Sequence, residues 1–171
     1  YGYDNSYKGK ERWMFLCARY LNYPEKQQFE LLPDQERDKF LASRIVLKDA
    51  VNAFIRQEGE DYRFPVEIFV EYDSNGKPSV YGSDELDNVE VSLAHKDQEV
   101  IAIASDKPVG IDIESIKERA DDFIKYTYTQ KELQFIKDKD QAEWTTRLWV
   151  AKEAYSKMTG EGLKGNPKQY E

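Results

Sequence analysis

The sequence predicts an α+β protein in which antiparallel strands pack against helices. Apolar residues recur at helical spacing over long segments in both halves of the chain. Between these segments lie short alternating or apolar runs bounded by turn-forming residues, which indicate strands. Hydrophobic residues make up 40% of the 171 positions, which is enough for a packed interior.

The N-terminal third is expected to hold a loose lead-in, a short helix and a long helix. Residues 1–10 are polar and form the lead-in, and residues 11–21 form a short apolar helix that Pro24 ends. The long helix should run over residues 34–58, with Gly59 ending it. The apolar residues that mark its buried side are Phe40, Leu47, Val51 and Phe54.

Three cations lie on one face of this long helix. They are Arg37, Arg44 and Lys48, which are seven and four residues apart. Such a row can hold phosphate groups, or it can be an ordinary solvated helix face. The segment taken alone favours the solvated face.

The strands are expected in two groups. Residues 65–72 should form one strand, followed by a turn at 73–76 and a loop at 79–88. Three further runs are separated by tight turns and predict an antiparallel meander. These runs are residues 89–94, 100–104 and 109–114.

Three helical segments follow, at residues 117–126, 130–138 and 141–159. Thr129, with Glu132 three positions later, predicts a capping box for the second of them. The apolar stripe of the third consists of Trp144, Leu148, Ala151, Tyr155 and Met158.

Strands and a long helix therefore occur in each half, which is consistent with a duplicated α+β unit. The predicted organisation is a lead-in with a short helix at 1–33, an N-terminal subdomain at 34–88 and a C-terminal subdomain at 89–171.

The segment Val109–Glu114 carries two acids with an unusual placement. In a strand, Asp112 and Glu114 point to one face, and Ile113 points to the other. Neighbouring carboxylates repel each other unless a positive charge lies between them, and oxygen ligands suit a hard divalent cation shared with a phosphate. A half-buried strand with a solvated polar face explains the hexapeptide equally well.

Composition excludes several function classes. The formal net charge of −8 argues against broad nucleic-acid binding and against attraction to an anionic membrane. The longest apolar runs are too short to span a bilayer. One cysteine, Cys17, excludes an internal disulfide and a cysteine-rich zinc site. We therefore expect a reducing, cytoplasmic setting.

Several motifs occur together in a fixed order. G-I-D-x-E at residues 110–114 is followed by W-x-x-K-E-A-x-x-K at 149–157. The other ordered elements are Gly76-Lys77-Pro78, Val91-Ser92-Leu93-Ala94-His95 and Tyr128-Thr129-Gln130-Lys131-Glu132. With the segment Arg44–Ala50, this set resembles the 4′-phosphopantetheinyl transferase superfamily, in its two-subdomain, surfactin-synthetase-activating type. The segment Arg44–Ala50 is most similar to transferase domains fused to polyketide or related multidomain synthases, which favours a domain excised from one.

The resemblance implies two α+β halves related by a pseudo-twofold, with coenzyme A bound between them. It implies Mg²⁺-dependent transfer of the 4′-phosphopantetheine arm of coenzyme A to a serine of an apo acyl or peptidyl carrier protein, with release of 3′,5′-ADP. The chain departs from the family pattern at Ala94 and Lys96, and it ends at Glu171, where relatives continue into further strands.

The resemblance also implies roles for single residues. Asp112, Glu114 and Glu153 would hold Mg²⁺, Glu153 would be the general base, and Lys157 would stabilise the leaving group. The residues expected to bind coenzyme A are Arg44, Lys48, Lys77, Pro78, His95 and Lys157. Lys152 is either a neighbour of the site or a solvated residue. Glu132 is expected either to support the residues that contact the ligand or to lie where the carrier protein binds.

Because carrier domains and this chain are both acidic, carrier binding would need a local patch. The candidates are Lys117, Phe123, Arg119, Lys125 and Tyr126. Two alternatives stay open. A catalytically silent scaffold module would keep the fold without transfer, and an unrelated Mg²⁺-dependent phosphohydrolase would share the carboxylates but leaves the ordered motifs unexplained.

Overall fold

The computed structural model describes residues 5–163 and 165–171, with side chains from residue 11 onward. The described residues form an α+β fold, which confirms the predicted class. Its helices are α1 (Asn5–Tyr20), α2 (Tyr23–Leu31), α3 (Asp34–Gln57), α4 (Asp121–Thr127), α5 (Gln130–Ile136) and α6 (Gln141–Thr159). Its strands are β1 (Phe69–Tyr72), β2 (Pro78–Tyr81), β3 (Glu90–Lys96) and β4 (Glu99–Ser105).

The N-terminal helices differ from the expectation. Residues 1–4 of the predicted lead-in lie outside the described residues, and residues 5–10 are helical in α1. Pro24 does not separate helices but lies in the first turn of α2, where a missing N–H removes no helical hydrogen bond. Asn22 and Glu25 form a capping box there, because each side chain accepts a backbone N–H of the other.

Helix α3 agrees with the prediction in both extent and buried side. Leu47 and Val51 are fully buried, and Phe54 packs against the same core. Gly59 follows the helix with a φ of +91°, a left-handed conformation that favours glycine.

The first hairpin differs from the prediction in both strands. Its first strand is shorter than the predicted strand at residues 65–72, and its second strand lies largely in the segment predicted to be a loop. Residues Pro65–Glu67 form a single 3₁₀ turn, so β1 begins only at Phe69. Strand β2 pairs with β1 in antiparallel register from Phe69 opposite Tyr81 to Tyr72 opposite Pro78. Four residues that begin with proline gave too short a pattern to identify β2 from sequence.

The second hairpin is confirmed, but the three-stranded meander is wrong. Strands β3 and β4 pair from Glu90 opposite Ser105 to Lys96 opposite Glu99. Residues 109–114 form no strand in the structure. Ile111 N–H donates instead to the Ser92 hydroxyl, at 3.1 Å, and Gly110 lies against α6. This segment therefore packs between β3 and α6 through side-chain and backbone contacts rather than through a strand ladder.

One core joins α3 to both hairpins. The core contains Leu47, Val51, Ile55, Ile68, Val70, Val80, Leu86 and Val91. It therefore runs across the expected subdomain boundary between residues 88 and 89. The division into two subdomains and their pseudo-twofold relation stay predictions.

The apolar stripe predicted for α6 is not the most buried side of that helix. Tyr155 is 50% exposed and Ala151 is also exposed. The buried residues of α6 are instead Thr145, Thr146, Lys152 and Ser156. Periodicity alone could not show this, because the buried positions are polar. Thr145 and Ser156 donate their hydroxyls to carbonyls of α6 itself, and Lys152 bonds to the C-terminal segment.

None of the helices in the described part of the chain combines the length and the hydrophobicity that crossing a membrane requires.

Candidate functional site

Several of the expected site residues border a cleft between the β1–β2 turn and the C-terminal part of α6. The cleft has a volume of about 170 Å³. Its lining includes Lys77, Pro78, Ser92, Glu153, Ser156 and Lys157. Four of the predicted site residues therefore meet here, although they come from positions far apart in the chain.

The β1–β2 turn is attached to the end of α6 by two side chains. Asn75 Nδ2 donates to Gly160 O at 3.1 Å, and Lys77 Nζ donates to Met158 O at 3.3 Å. Carbonyl groups at a helix C-terminus lack intrahelical donors, so these contacts satisfy them. Lys77 also forms an ion pair of 2.9 Å with Glu90. The same lysine thus holds the cleft together and contributes to its lining.

Gly110 lets the acidic segment approach α6 closely. A Cβ at this position would lie 1.8 Å from Ala154 O, inside the backbone of the helix. Two residues later, Asp112 Oδ1 accepts a hydrogen bond of 2.7 Å from Lys157 Nζ. The glycine of the G-I-D-x-E motif is therefore required for the contact between its aspartate and α6.

Glu153 lies in the electrostatic field of both motif acids. Burial raises the pKa of its carboxyl group above the usual value, and the negative charges of Asp112 and Glu114 raise it further, while Lys157 acts in the opposite direction. The structure therefore brings Asp112, Glu114 and Glu153 into one neighbourhood, as expected. A carboxylate with a raised pKa is a stronger proton acceptor than a solvated one.

His95, at the end of β3, lies among cations. Its Nε2 is 2.7 Å from Ser43 Oγ of α3. Burial lowers the pKa of the imidazole, and the nearby charges of Lys39 and Lys157 lower it further. Lys39 was missed from sequence, although its position four residues before Ser43 on the same helix face was visible. Sequence gave no reason to connect that face to His95.

Arg44 and Lys48 do not lie at this cleft. Arg44 is 4% exposed and Lys48 is fully buried, and both pair with the carboxylate of Glu25 at 3.0 and 2.6 Å. Burial lowers the pKa of Lys48 to about 8. Helix α2, which was not predicted, covers this part of the cationic row with its own acid. The expected phosphate contacts of these two side chains are thus replaced by internal ion pairs.

Part of the chain is similar to a known protein family. Residues 108–171 match the family model described as the 4′-phosphopantetheinyl transferase superfamily. In this region the chain is similar to that superfamily. The matched region includes Asp112, Glu114, Glu153 and Lys157.

Two curated relatives extend the similarity beyond the matched region. The 4′-phosphopantetheinyl transferase psf-1 of Bacillus pumilus is 33% identical over 141 residues, which cover 79% of this chain and 58% of that protein. The 4′-phosphopantetheinyl transferase Sfp of Bacillus subtilis is 26% identical over 163 residues, which cover 92% of this chain and 66% of that protein. The chain thus spans about three fifths of the length of these relatives.

One solved structure is also similar. It is described as holo-ACP-synthase from Plasmodium yoelii, with a TM-score of 0.44 and 21% identity, covering 57% of this chain and 81% of that one.

The carboxylates near the cleft offer oxygen donors that suit a divalent cation, but they do not form a metal cage. Within residues 5–163 and 165–171, no group of three acidic, histidine or cysteine side chains is arranged to hold a metal. Glu114 Oε2 is buried without a hydrogen-bond partner in the described part of the chain, 3.4 Å from Lys96 Nζ and 4.0 Å from Arg119 Nη2. Lys117 Nζ is also 4.0 Å away, so this oxygen is surrounded by cations although it accepts no hydrogen bond in the described part of the chain. A carboxylate oxygen in such a position, beside two further acids, fits the oxygen donors that Mg²⁺ prefers.

The expected carrier patch is only partly at the surface. Lys117, Lys125 and Tyr126 are exposed, whereas the Arg119 side chain is 10% exposed. Phe123 packs edge-on against Trp149 of α6, with ring centroids 5.2 Å apart. The exposed members stay candidates for carrier binding, and Arg119 and Phe123 support the local structure.

A second cavity, of about 610 Å³, lies on the other face of α6. Its lining includes Leu148, Ala151 and Tyr155, which point about 140–200° away from Glu153 around the helix. Lys152 and Glu132 form a buried ion pair of 2.7 Å beside it. Neither residue lines the cleft. Lys152 is buried, so the prediction of a solvated side chain is wrong. It holds the C-terminal segment instead, by donating to Pro167 O and Tyr170 O.

Proposed function

We propose that this protein transfers the 4′-phosphopantetheine arm of coenzyme A to a serine of an apo acyl or peptidyl carrier protein. The serine oxygen attacks the β-phosphorus of coenzyme A, the bond from that phosphorus to the bridging oxygen breaks, and 3′,5′-ADP leaves. The observation that carries the proposal is the convergence of Asp112, Glu153 and Lys157 beside the cleft, within the region that matches the family model.

Glu153 is the proposed general base, because it is the partly buried carboxylate with a raised pKa. It accepts the serine proton as the new bond to phosphorus forms. Phosphoryl transfer needs positioning and charge stabilisation more than covalent help. A base held beside the attacking hydroxyl contributes to the positioning.

Lys157 is the proposed partner of the phosphate oxygens. Its ammonium lies 2.7 Å from Asp112, which fixes the direction of the side chain. An ammonium so placed stabilises the negative charge that grows on the departing phosphate. Lys39 adds a positive charge beside His95 for other phosphate groups, and Lys77 and Pro78 line the adjacent part of the cleft.

Asp112, Glu114 and Glu153 would hold Mg²⁺. When bound, Mg²⁺ neutralises charge on a pyrophosphate and orients it for in-line attack. Glu114 now contacts Lys96 and Arg119, so its carboxylate is available once those cations are displaced. The cytoplasm, with its coenzyme A and reducing conditions, is the proposed location.

A mass measurement tests the transfer. The protein is mixed with Mg²⁺, coenzyme A and an apo carrier domain, and the carrier mass is followed. We expect an increase of one phosphopantetheine group, which Glu153→Gln abolishes. The matched control is Glu143→Gln, which removes a partly exposed carboxylate on the same helix that pairs with Arg147.

Other outcomes contradict the proposal. Coenzyme A binding without any change in several carriers would indicate a silent scaffold module. Release of inorganic phosphate without carrier modification would indicate a hydrolase.

A further inference from the structure

Ser43 makes two short hydrogen bonds, one within its helix and one to His95. Its hydroxyl lies 2.6 Å from Lys39 O and 2.7 Å from His95 Nε2, and the residue is 5% exposed. A backbone carbonyl can only accept, so the single hydroxyl proton must be donated to Lys39 O. Ser43 Oγ is then an acceptor toward the imidazole, and Nε2 must carry a hydrogen.

This arrangement decides which nitrogen of the ring can serve a ligand. In a neutral imidazole one nitrogen is protonated and the other is an acceptor. With the hydrogen on Nε2 and committed to Ser43, Nδ1 is the remaining polar atom, and in the neutral ring it carries no hydrogen. A phosphate oxygen is an acceptor as well, so the neutral ring offers it nothing. Only the imidazolium, protonated at Nδ1, can donate to phosphate.

We infer that Ser43 is a positioning residue that holds His95 in the Nε2–H tautomer, so that anion binding by this histidine requires uptake of a proton at Nδ1. The inference rests on the proposed function, which supplies the phosphate-bearing ligand. It adds a residue to the site that neither the motifs nor the matched family region contains.

The surroundings of His95 support a proton uptake that depends on the ligand. The charged groups that act on the ring are Lys39 from α3 and Lys157 from α6, and both are cations. On the β4 side, the register partner of His95 is the apolar Val100. These cations oppose protonation of the free ring, and a bound phosphate dianion would offset them. Binding of the anion and of the proton should therefore reinforce each other.

The sequence makes the experiment direct, because His95 is the one histidine of the chain. Nitrogen-15 NMR of the imidazole reports the protonation of each ring nitrogen without assignment ambiguity. A pH of about 7.5 is one unit above the ordinary histidine pKa, so the free ring is mostly neutral there. Under this condition we expect a protonated Nε2 and an unprotonated Nδ1 in the free protein. With saturating coenzyme A, we expect both nitrogens to be protonated.

Variants separate positioning from folding. Ser43→Ala should give a mixture of both tautomers and weaken coenzyme A binding about fivefold, the equivalent of one hydrogen bond. The affinity of Ser43→Ala should also depend less steeply on pH between 6 and 8, about the range in which histidine titrates. Ser43→Thr keeps the hydroxyl and should restore the Nε2–H tautomer. Ser105→Ala, which removes a hydroxyl from β4, is the matched control and should leave the tautomer unchanged.

Each result decides the inference. It is overturned by an Nδ1–H tautomer in the wild type, by an unchanged tautomer in Ser43→Ala, or by an unprotonated Nδ1 in the coenzyme A complex. If the wild type binds no coenzyme A, the proposed function fails and the proton-uptake part of this inference fails with it. The tautomer comparison in the free protein still decides the role of Ser43.

Discussion

The contact between Gly110 and α6 leads to a prediction with a magnitude that can be worked from the structure. In Gly110→Ala, the new Cβ would lie 1.8 Å from Ala154 O and 2.8 Å from both Ala154 C and Met158 N. These are backbone atoms of a helix and cannot rotate away. Ordinary contact begins near 3.5 Å, so the acidic segment must retreat by about 1.7 Å. Overpacking of this kind costs about 1–3 kcal/mol of folding free energy.

The same retreat should affect catalysis more than stability. Asp112 is two residues away, and its 2.7 Å contact with Lys157 cannot survive such a shift unchanged. A displacement of about 1 Å at a reacting centre can reduce a rate about 100-fold. We therefore expect Gly110→Ala to remain folded and to lose about two orders of magnitude in carrier modification, measured by single-turnover mass spectrometry, with urea unfolding for stability.

Gly59→Ala is the control for this prediction. An added Cβ at Gly59 meets no described atom within 4 Å, but the φ of +91° strains any residue with a side chain. We expect a loss of about 1 kcal/mol in unfolding free energy and an unchanged rate. If Gly110→Ala keeps both the stability and the rate of the wild type, the packing argument for the acidic segment is wrong.

Three further predictions concern buried charges. Glu25→Gln leaves Arg44 and Lys48 without their carboxylate and should lower the unfolding free energy by about 3 kcal/mol in urea titrations; a loss close to zero would contradict this. The pKa of Lys48 falls from 10.5 to about 8 on folding, so between these pH values the unfolded chain binds more protons and the stability contributed by Lys48 rises with pH. The unfolding free energy of the wild type should therefore rise relative to that of Lys48→Met between pH 8 and 10.5. A difference between the two proteins that does not change with pH would refute this prediction. Lys152→Met leaves the buried Glu132 without its cation and should cost about 3 kcal/mol in thermal unfolding. Adding Glu132→Gln, which removes the charge but keeps the capping-box acceptor, should recover part of the loss; no recovery would show that the carbonyl contacts of Lys152 dominate.

Local signals in the sequence predicted a large part of the fold. Helix α3 and its buried side follow from a pattern that repeats over many turns. The capping box of Thr129 and Glu132 is confirmed, because it depends on residues three positions apart. Strands β3 and β4 were bounded by turns that the sequence showed directly. In each case the physical cause lies within a few residues.

The errors have non-local causes. Arg44 and Lys48 do share a helix face, but whether that face meets water or Glu25 depends on α2. That helix was missed because Pro24, which lies in its first turn, was interpreted as the end of a helix. The alternation of residues 109–114 suits a strand, but the contact of Gly110 with α6 prevails over it. The pattern also could not show that the apolar stripe of α6 borders an open cavity.

The candidate site divides in the same way. Asp112, Glu153 and Lys157 were found through motifs and do converge in the structure. Lys39 and Ser43 were not found, since no spacing rule connects a helix to a histidine more than 50 residues further along, 52 in the case of Ser43. Sequence identifies the chemical groups of such a site better than the side chains that orient them.

The ties between the β1–β2 turn and α6 also bear on when the cleft can form. Asn75 and Gly160 are 85 residues apart, and Lys77 and Met158 are 81 residues apart. Contacts between such distant positions require closure of a long loop and form slowly compared with helices and hairpins. During synthesis, α3 and both hairpins can assemble their common core before α6 has left the ribosome. The nascent chain would then hold a folded core while the cleft stays incomplete until residue 160 has emerged.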